Sequence, residues 1–272
     1  MIPQANITAW RTIAPWPDDA QVEQDLVLSR AAVELFASPE LSPQMALRGG
    51  TALNKLFIRP GVRYSEDIDL VQTKSGPAGA LIDGIRARLD PWLGKPTRTL
   101  TRGGVSLTYR FESEIPPVRP LRLKIEVNTR EHFSVLGLQP RPMAVANPWF
   151  TAQVQINTYH LDELMGTKLR ALYQRRKGRD LFDLWLCLER KLINSDQAIM
   201  CFLRYMEHAG HSVSRAEFER NLHDKEVNPA FMNDITPLLS AAVRYDPAEA
   251  LRKVRATLIG HLPGDPWRGI EK

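Results

Sequence analysis

Asp67 and Asp69 are separated by one residue and flanked by apolar Ile68 and Leu70. That alternation predicts a strand with both carboxylates on one face. Two like charges so placed repel unless a cation lies between them, and hard oxygen donors suit Mg²⁺. An Asp-x-Asp pair by itself is equally the make-up of a solvated strand end or a turn. Glu126 adds a third carboxylate. It lies in a segment where Leu121, Leu123, Ile125 and Val127 share one face and Arg122, Lys124, Glu126 and Asn128 the other. If that strand neighbours the first, three carboxylates converge, a donor set suited to moving a nucleotidyl or phosphoryl group.

The turn upstream raises the interest of this pair. Arg48-Gly49-Gly50-Thr51 falls between the apolar run Met45-Ala46-Leu47 and a helix-like segment over 51–58. Glycines there expose backbone N–H groups, and the helix that follows presents its positive end, which makes an anion site. Thr51 is expected to cap the helix and to offer its hydroxyl to a phosphate. Many Gly-Gly-Thr turns are only tight corners; a phosphate cradle shortly before two carboxylates on one face is more specific.

A third feature is basic. Arg170, Arg175, Arg176, Lys177 and Arg179 crowd around one short stretch, beside Lys168 and ahead of Asp180-Leu181-Phe182-Asp183. Asp180 and Asp183 share a helix face. One reading is a solvated, self-paired helix. The other has Lys168 reaching triphosphate oxygens while Asp180 orders the basic side chains, and the cations forming a surface for an anion or RNA. Exposed pairs contribute only ~0.3–0.5 kcal/mol each, so such a cluster serves a polyanion better than it serves stability.

These residues need a framework. The chain has 272 residues, 43% hydrophobic and 25% charged, with net charge +5. That composition predicts one large or two small globular domains and excludes a mostly disordered chain. No apolar run reaches the ~18 residues of a membrane span, so no membrane partner is expected. The first residues show no basic region followed by an apolar core, so no secretory leader is expected. Cys187 and Cys201 lack the spacing of a metal knuckle or disulfide framework and read as buried hydrophobes in a reducing cytoplasm. Patterning predicts helices over 18–37 and 78–93, the latter broken near Pro91, and strands over 97–102 and 105–111 joined at Gly103-Gly104. The Pro- and Asn-rich stretch 129–158 reads as a connection. Helices follow over 160–174, 179–191, 195–209, 214–224 and 247–259. The expected organisation is a mixed α+β domain over 1–150 and a helical domain over 151–272.

Four ordered motifs then carry a resemblance: Arg48-Gly49-Gly50-Thr51-Ala52-Leu53, Arg63-Tyr64-Ser65-Glu66-Asp67-Ile68-Asp69-Leu70, Lys124-Ile125-Glu126-Val127, and Lys168-Leu169-Arg170-Ala171-Leu172 with Arg179-Asp180-Leu181-Phe182-Asp183-Leu184. Together the sequence resembles the AbiEii/AbiGii nucleotidyltransferase toxins. The resemblance implies an α+β polymerase-β-like nucleotidyltransferase domain, a mixed sheet with flanking helices, followed by a helical domain. It implies a cytoplasmic bacterial toxin of a toxin–antitoxin or abortive-infection (phage-defence) system, whose antitoxin need not touch it. It implies Mg²⁺ or Mn²⁺, a nucleoside triphosphate and tRNA as acceptor. Matched position by position, Gly49, Gly50 and Thr51 fall in the phosphate-binding turn, Asp67 and Asp69 are metal ligands, Glu126 stands where a third carboxylate occurs, and Lys168 and Asp180 are the late-motif residues. A protein side chain or small hydroxyl compound as acceptor, and a non-catalytic scaffold, are the alternatives.

Overall fold

The computed structural model describes residues 2–101 and 103–269. They form two compact units. One runs up to Tyr159 and regains Leu239–Ala242; the other comprises His160–Leu238 and the chain from Val243 onward.

The first unit is built on one mixed seven-stranded sheet. Its strands are β1 (Met45–Arg48), β2 (Asp67–Gln72), β3 (Thr97–Thr101), β4 (Gly104–Glu112), β5 (Pro120–Asn128), β6 (Leu138–Asn147) and β7 (Phe150–Tyr159), in the order β3-β4-β5-β2-β1-β7-β6. β2 pairs β5 in parallel and β1 pairs β7 in parallel; the other neighbours are antiparallel. The period-two residues of β2 and β5 sort as expected. Ile68, Leu70, Ile125 and Val127 are buried, and Asp67, Asp69, Lys124 and Glu126 stay partly open.

Helices α1 (Gln4–Trp10), α2 (Asp19–Phe36), α3 (Gly49–Ala52) and α4 (Gly79–Leu93) complete the unit. Asp18 caps α2 by accepting from the Ala20 N–H at 2.9 Å. α3 passes into one π turn, Leu53–Phe57, closed by the Ile58 N–H on the Leu53 carbonyl. α4 is not broken at Pro91. The proline sits in the last turn, the Gly94 N–H reaches the Asp90 carbonyl at 3.0 Å, and Gly94 at φ +76° ends the helix there.

Two further expectations are corrected. Residues 129–158 are not a connection: they contain β6 and β7. Pro140 and Pro142 suggested a loop, but β6 is an edge strand, where a missing N–H can face solvent. A boundary at 150/151 would cut off β7, and the first unit extends to Tyr159.

The second unit holds α5 (Leu161–Gln174), α6 (Gly178–Glu189), α7 (Ser195–His208), α8 (Arg215–Glu226), α9 (Pro229–Asn233) and α10 (Pro247–Thr257). α5 and α7 approach closely at Gly166, where an added Cβ would lie 2.6 Å from Cys201 Cβ. α8 starts with a capping box between Ser214 and Glu217. Cys187 and Cys201 are free and buried, and burial pushes both thiols up to about 12. No helix among the described residues is long and apolar enough to cross a membrane.

Candidate active site

The sheet register assembles the acidic site. Arg48 on β1 pairs with Asp69 on β2, and Asp69 pairs with Glu126 on β5. Register partners project to one side of a sheet, so these three side chains form a row across three strands. Asp67 pairs with Lys124 in the adjacent row. A cleft of about 220 Å³ lies over this region, lined by Arg48, Asp69, Glu126, Thr101 and Gly103 among others.

The glycine turn abuts the same row. Gly49 has φ +74°, a conformation that favours glycine, and a Cβ built there would lie 2.0 Å from Asp69 Oδ2. The missing side chain therefore lets the turn lie directly against the carboxylate. At Gly50 an added Cβ would lie 2.5 Å from Arg63 Nη2 and 3.1 Å from Ser65 Oγ. The first N–H groups of the helical stretch that starts here have no intrahelical acceptor.

Thr51 departs from expectation. It lies inside α3, is fully buried, and does not cap it. Its hydroxyl donates to the Asp67 carbonyl and lies 2.9 Å from Ser65 Oγ. Thr51 thus ties the turn to the start of β2 and has no hydroxyl to offer a phosphate.

The electrostatics are those of crowded carboxylates. Burial first, and then Asp69 and Glu66, raise the Asp67 carboxyl to about 6. Lys124 is the cation within this cluster. It forms an ion pair with Glu126, and that hydrogen bond, together with the charges of Glu126, Asp67 and Asp69, raises its pKa. Arg48 pairs with Glu131 at 2.7 Å; burial disfavours its charge, but Glu131 and Asp69 outweigh that and raise its pKa. Among the described residues no three His, Cys, Asp or Glu side chains are grouped to hold a metal ion. The expected convergence of three carboxylates is corrected accordingly: Glu126 turns to Lys124. Asp67 and Asp69 do fit a hard cation, because both offer oxygens from one face and their proximity penalises two bare charges.

The helical unit holds the late-motif residues in a buried network. Lys168 Nζ lies 3.1 Å from Asp180 Oδ1 and 2.9 Å from Asp183 Oδ2, and its side chain is only 8% exposed. Arg175 donates to both Asp180 oxygens, at 2.7 and 2.9 Å, while its own side chain is 49% exposed. Burial works against charge on Asp180, but Lys168 and Arg175 outweigh it and hold the carboxyl down at about 2. Lys168 does not present its ammonium to solvent; the cation that Asp180 presents is Arg175.

The basic cluster is also less open than its composition suggested. Arg170 stacks over Tyr205 at 4.9 Å, and Lys177 lies 3.6 Å from Asp234. Among the described residues the side chains of Arg176 and Arg179 make no ion pair; the Arg179 backbone N–H binds Asp234. Lys124 and Asp183 were not assigned roles from the sequence. Their signals were i, i+2 spacing to Glu126 and i, i+3 spacing to Asp180.

Comparison with known proteins agrees with this geometry. A family model described as nucleotidyl transferase AbiEii toxin, type IV TA system, matches residues 31–256. The nucleotidyltransferase toxin MenT4 (Rv2826c) of Mycobacterium tuberculosis H37Rv shares the fold with TM-score 0.62 and 13% identity, over 97% of this chain and 91% of that one. JHP933 from Helicobacter pylori does so with TM-score 0.51 and 17% identity, over 89% and 91%. No curated protein sequence matches the chain. The chain belongs to the AbiEii family of nucleotidyltransferase toxins of type IV toxin–antitoxin systems.

Proposed function

We propose that this nucleotidyltransferase moves a nucleoside monophosphate from a nucleoside triphosphate to the 3′ end of tRNA and so stops translation and growth. The observation that carries the reading is the Gly49 backbone lying against Asp69, with Glu126 as its register partner. The backbone N–H groups of Gly49 and Gly50 receive the phosphate tail. Thr51 supports them by fixing the turn to β2. Asp67 and Asp69 would hold Mg²⁺ or Mn²⁺, which when bound would offset charge building on the phosphate oxygens. Arg48, held by Glu131, adds fixed positive charge beside Asp69.

Glu126 is the proton acceptor in this account. Its carboxylate is 44% exposed and engaged by Lys124. On release from Lys124 it takes the proton of the acceptor hydroxyl at a carboxylate oxygen, and Lys124 remains to balance Asp67. That hydroxyl attacks the α-phosphorus in line, and pyrophosphate leaves. In the helical unit, Lys168 and Asp180 act by holding Arg175 toward solvent. Arg170, Arg175, Arg176, Lys177 and Arg179 supply the polyanion surface, with Arg176 and Arg179 its least encumbered members.

The test is incubation of the full chain with each labelled nucleoside triphosphate and total tRNA, in Mg²⁺ or in EDTA. Label on tRNA that needs the divalent cation supports the proposal. Label on a protein or a small hydroxyl compound, with tRNA bare, replaces the acceptor. No pyrophosphate release with any triphosphate overturns it.

A further inference from the structure

A second, larger pocket lies in the sheet unit, with a volume of about 410 Å³. Its apolar wall includes Trp10, Trp16, Ile58 and Met143. None of the acidic-row residues Arg48, Asp69 and Glu126 lines it. Much of the wall comes from α1, the following loop and α2, ahead of residue 31, where the family match begins. This part of the molecule is therefore an addition to what defines the family.

The wall is built with unusual polar support. Asp25, 1% exposed, accepts from Trp10 Nε1 at 2.8 Å, from Trp16 Nε1 at 3.1 Å and from Lys55 Nζ at 2.6 Å. One buried carboxylate thus fixes two indole rings and a lysine. Burying a charge is unfavourable unless it is paired and hydrogen-bonded, and Asp25 is both. Trp16 is held further by an edge contact with Tyr64, centroids 6.0 Å apart.

Protein interiors are close-packed, and native cavities larger than a few water molecules are uncommon. This one lies within the roughly 300–1,000 Å³ range of small-molecule sites, which are mostly apolar with a few placed polar groups. Three cations, Lys55, Arg59 and Arg63, line it against one carboxylate, Asp25. Asn54 lines it too, is 7% exposed, and its Oδ1 has no hydrogen-bond partner among the described residues. Ile13, 56% exposed, offers apolar surface at an open edge of the pocket.

We propose that this pocket is a binding site, separate from the acidic row, for a small organic anion with a flat ring that carries an N–H donor. The indoles and Ile58 supply the surface for the ring, the excess of cations takes the anionic group, and the ring N–H supplies the donor that Asn54 Oδ1 lacks. Arg63 and Ser65 line this pocket and also crowd Gly50, so an occupant is felt at the glycine turn. The proposal does not rest on the transfer reaction.

The test uses AMP as probe, with adenosine as its uncharged counterpart, titrated calorimetrically into the full chain in EDTA. Ile13→Glu and Arg59→Glu each place a carboxylate at an exposed lining position, where folding tolerates it; melting curves check that. The expected result is saturable AMP binding, weakened about tenfold or more for adenosine and in both variants, the effect of losing one charge interaction in a partly enclosed site. Absence of saturation at millimolar AMP overturns the proposal. So does AMP binding of equal strength in wild type and both folded variants, which would locate the ligand elsewhere.

Discussion

Gly49→Ala tests the contact on which the site is built. The added Cβ would lie 2.0 Å from Asp69 Oδ2 and 2.9 Å from its Cγ, and the backbone holds φ +74°. Two effects add. An L side chain in the left-handed region costs roughly 1–2 kcal/mol. The carboxylate must also retreat by on the order of 1 Å to restore ordinary contact, and misplacement of that size at a reacting centre costs about 10²-fold in rate. The expected result is a loss of about 1–2 kcal/mol of stability in urea titration and a fall of about 10²-fold in kcat for labelled nucleotide transfer. Gly79→Ala is the control. Nothing lies within 4 Å of a Cβ at that position in α4, so it folds at least as well as wild type and transfers normally. Transfer by Gly49→Ala at the wild-type rate, in a protein shown to be folded, would refute the claim that this turn and Asp69 face the same substrate.

Lys168→Met strands Asp180 and Asp183 in a buried site and is expected to destabilise the helical unit by roughly 3 kcal/mol, with Asp183→Asn recovering part of the loss in the melting temperature. Because folded Asp180 titrates at about 2, below its ordinary 3.8, it stabilises the fold above pH ~4. It loses that contribution as pH falls toward 2, roughly 2 kcal/mol in all, and Asp180→Asn flattens this acid limb of urea stability. Glu23 has the opposite sign. Burial raises it to about 7, so its contribution is lost as pH rises through 7, and Glu23→Gln melts higher than wild type at pH 8 but not at pH 4. Arg176→Gln with Arg179→Gln reduces the salt slope of RNA binding by up to about two phosphate contacts, read from affinities across a salt series.

Much of the acidic row was legible because a strand has a period of two. Asp67 and Asp69 had to share a face once Ile68 and Leu70 were buried, and Glu126 had to face away from Ile125 and Val127. The adjacency of β2 and β5 is a long-range fact, and it came from the resemblance. What could not be read was where long side chains turn. Lys124 reaches Glu126, and Lys168 folds back between Asp180 and Asp183, because each finds an opposite charge in three dimensions. Thr51 looked like a cap, yet it sits inside the helix because Gly49 already starts it. β6 was hidden by Pro140 and Pro142, whose tolerance depends on an edge position visible only in the sheet order. The pocket behind Trp10 and Trp16 depends on Asp25, whose indole partners are too far away in sequence to show any periodicity.

Asp69→Asn bears most directly on the central claim, that a carboxylate against the glycine turn serves nucleotide transfer. Wild type and variant are compared for incorporation of labelled nucleotide into tRNA across a Mg²⁺ series, with melting temperatures measured in parallel. The account predicts that the variant melts close to wild type and incorporates no label at any Mg²⁺ concentration. Incorporation by the variant at the wild-type rate would contradict it.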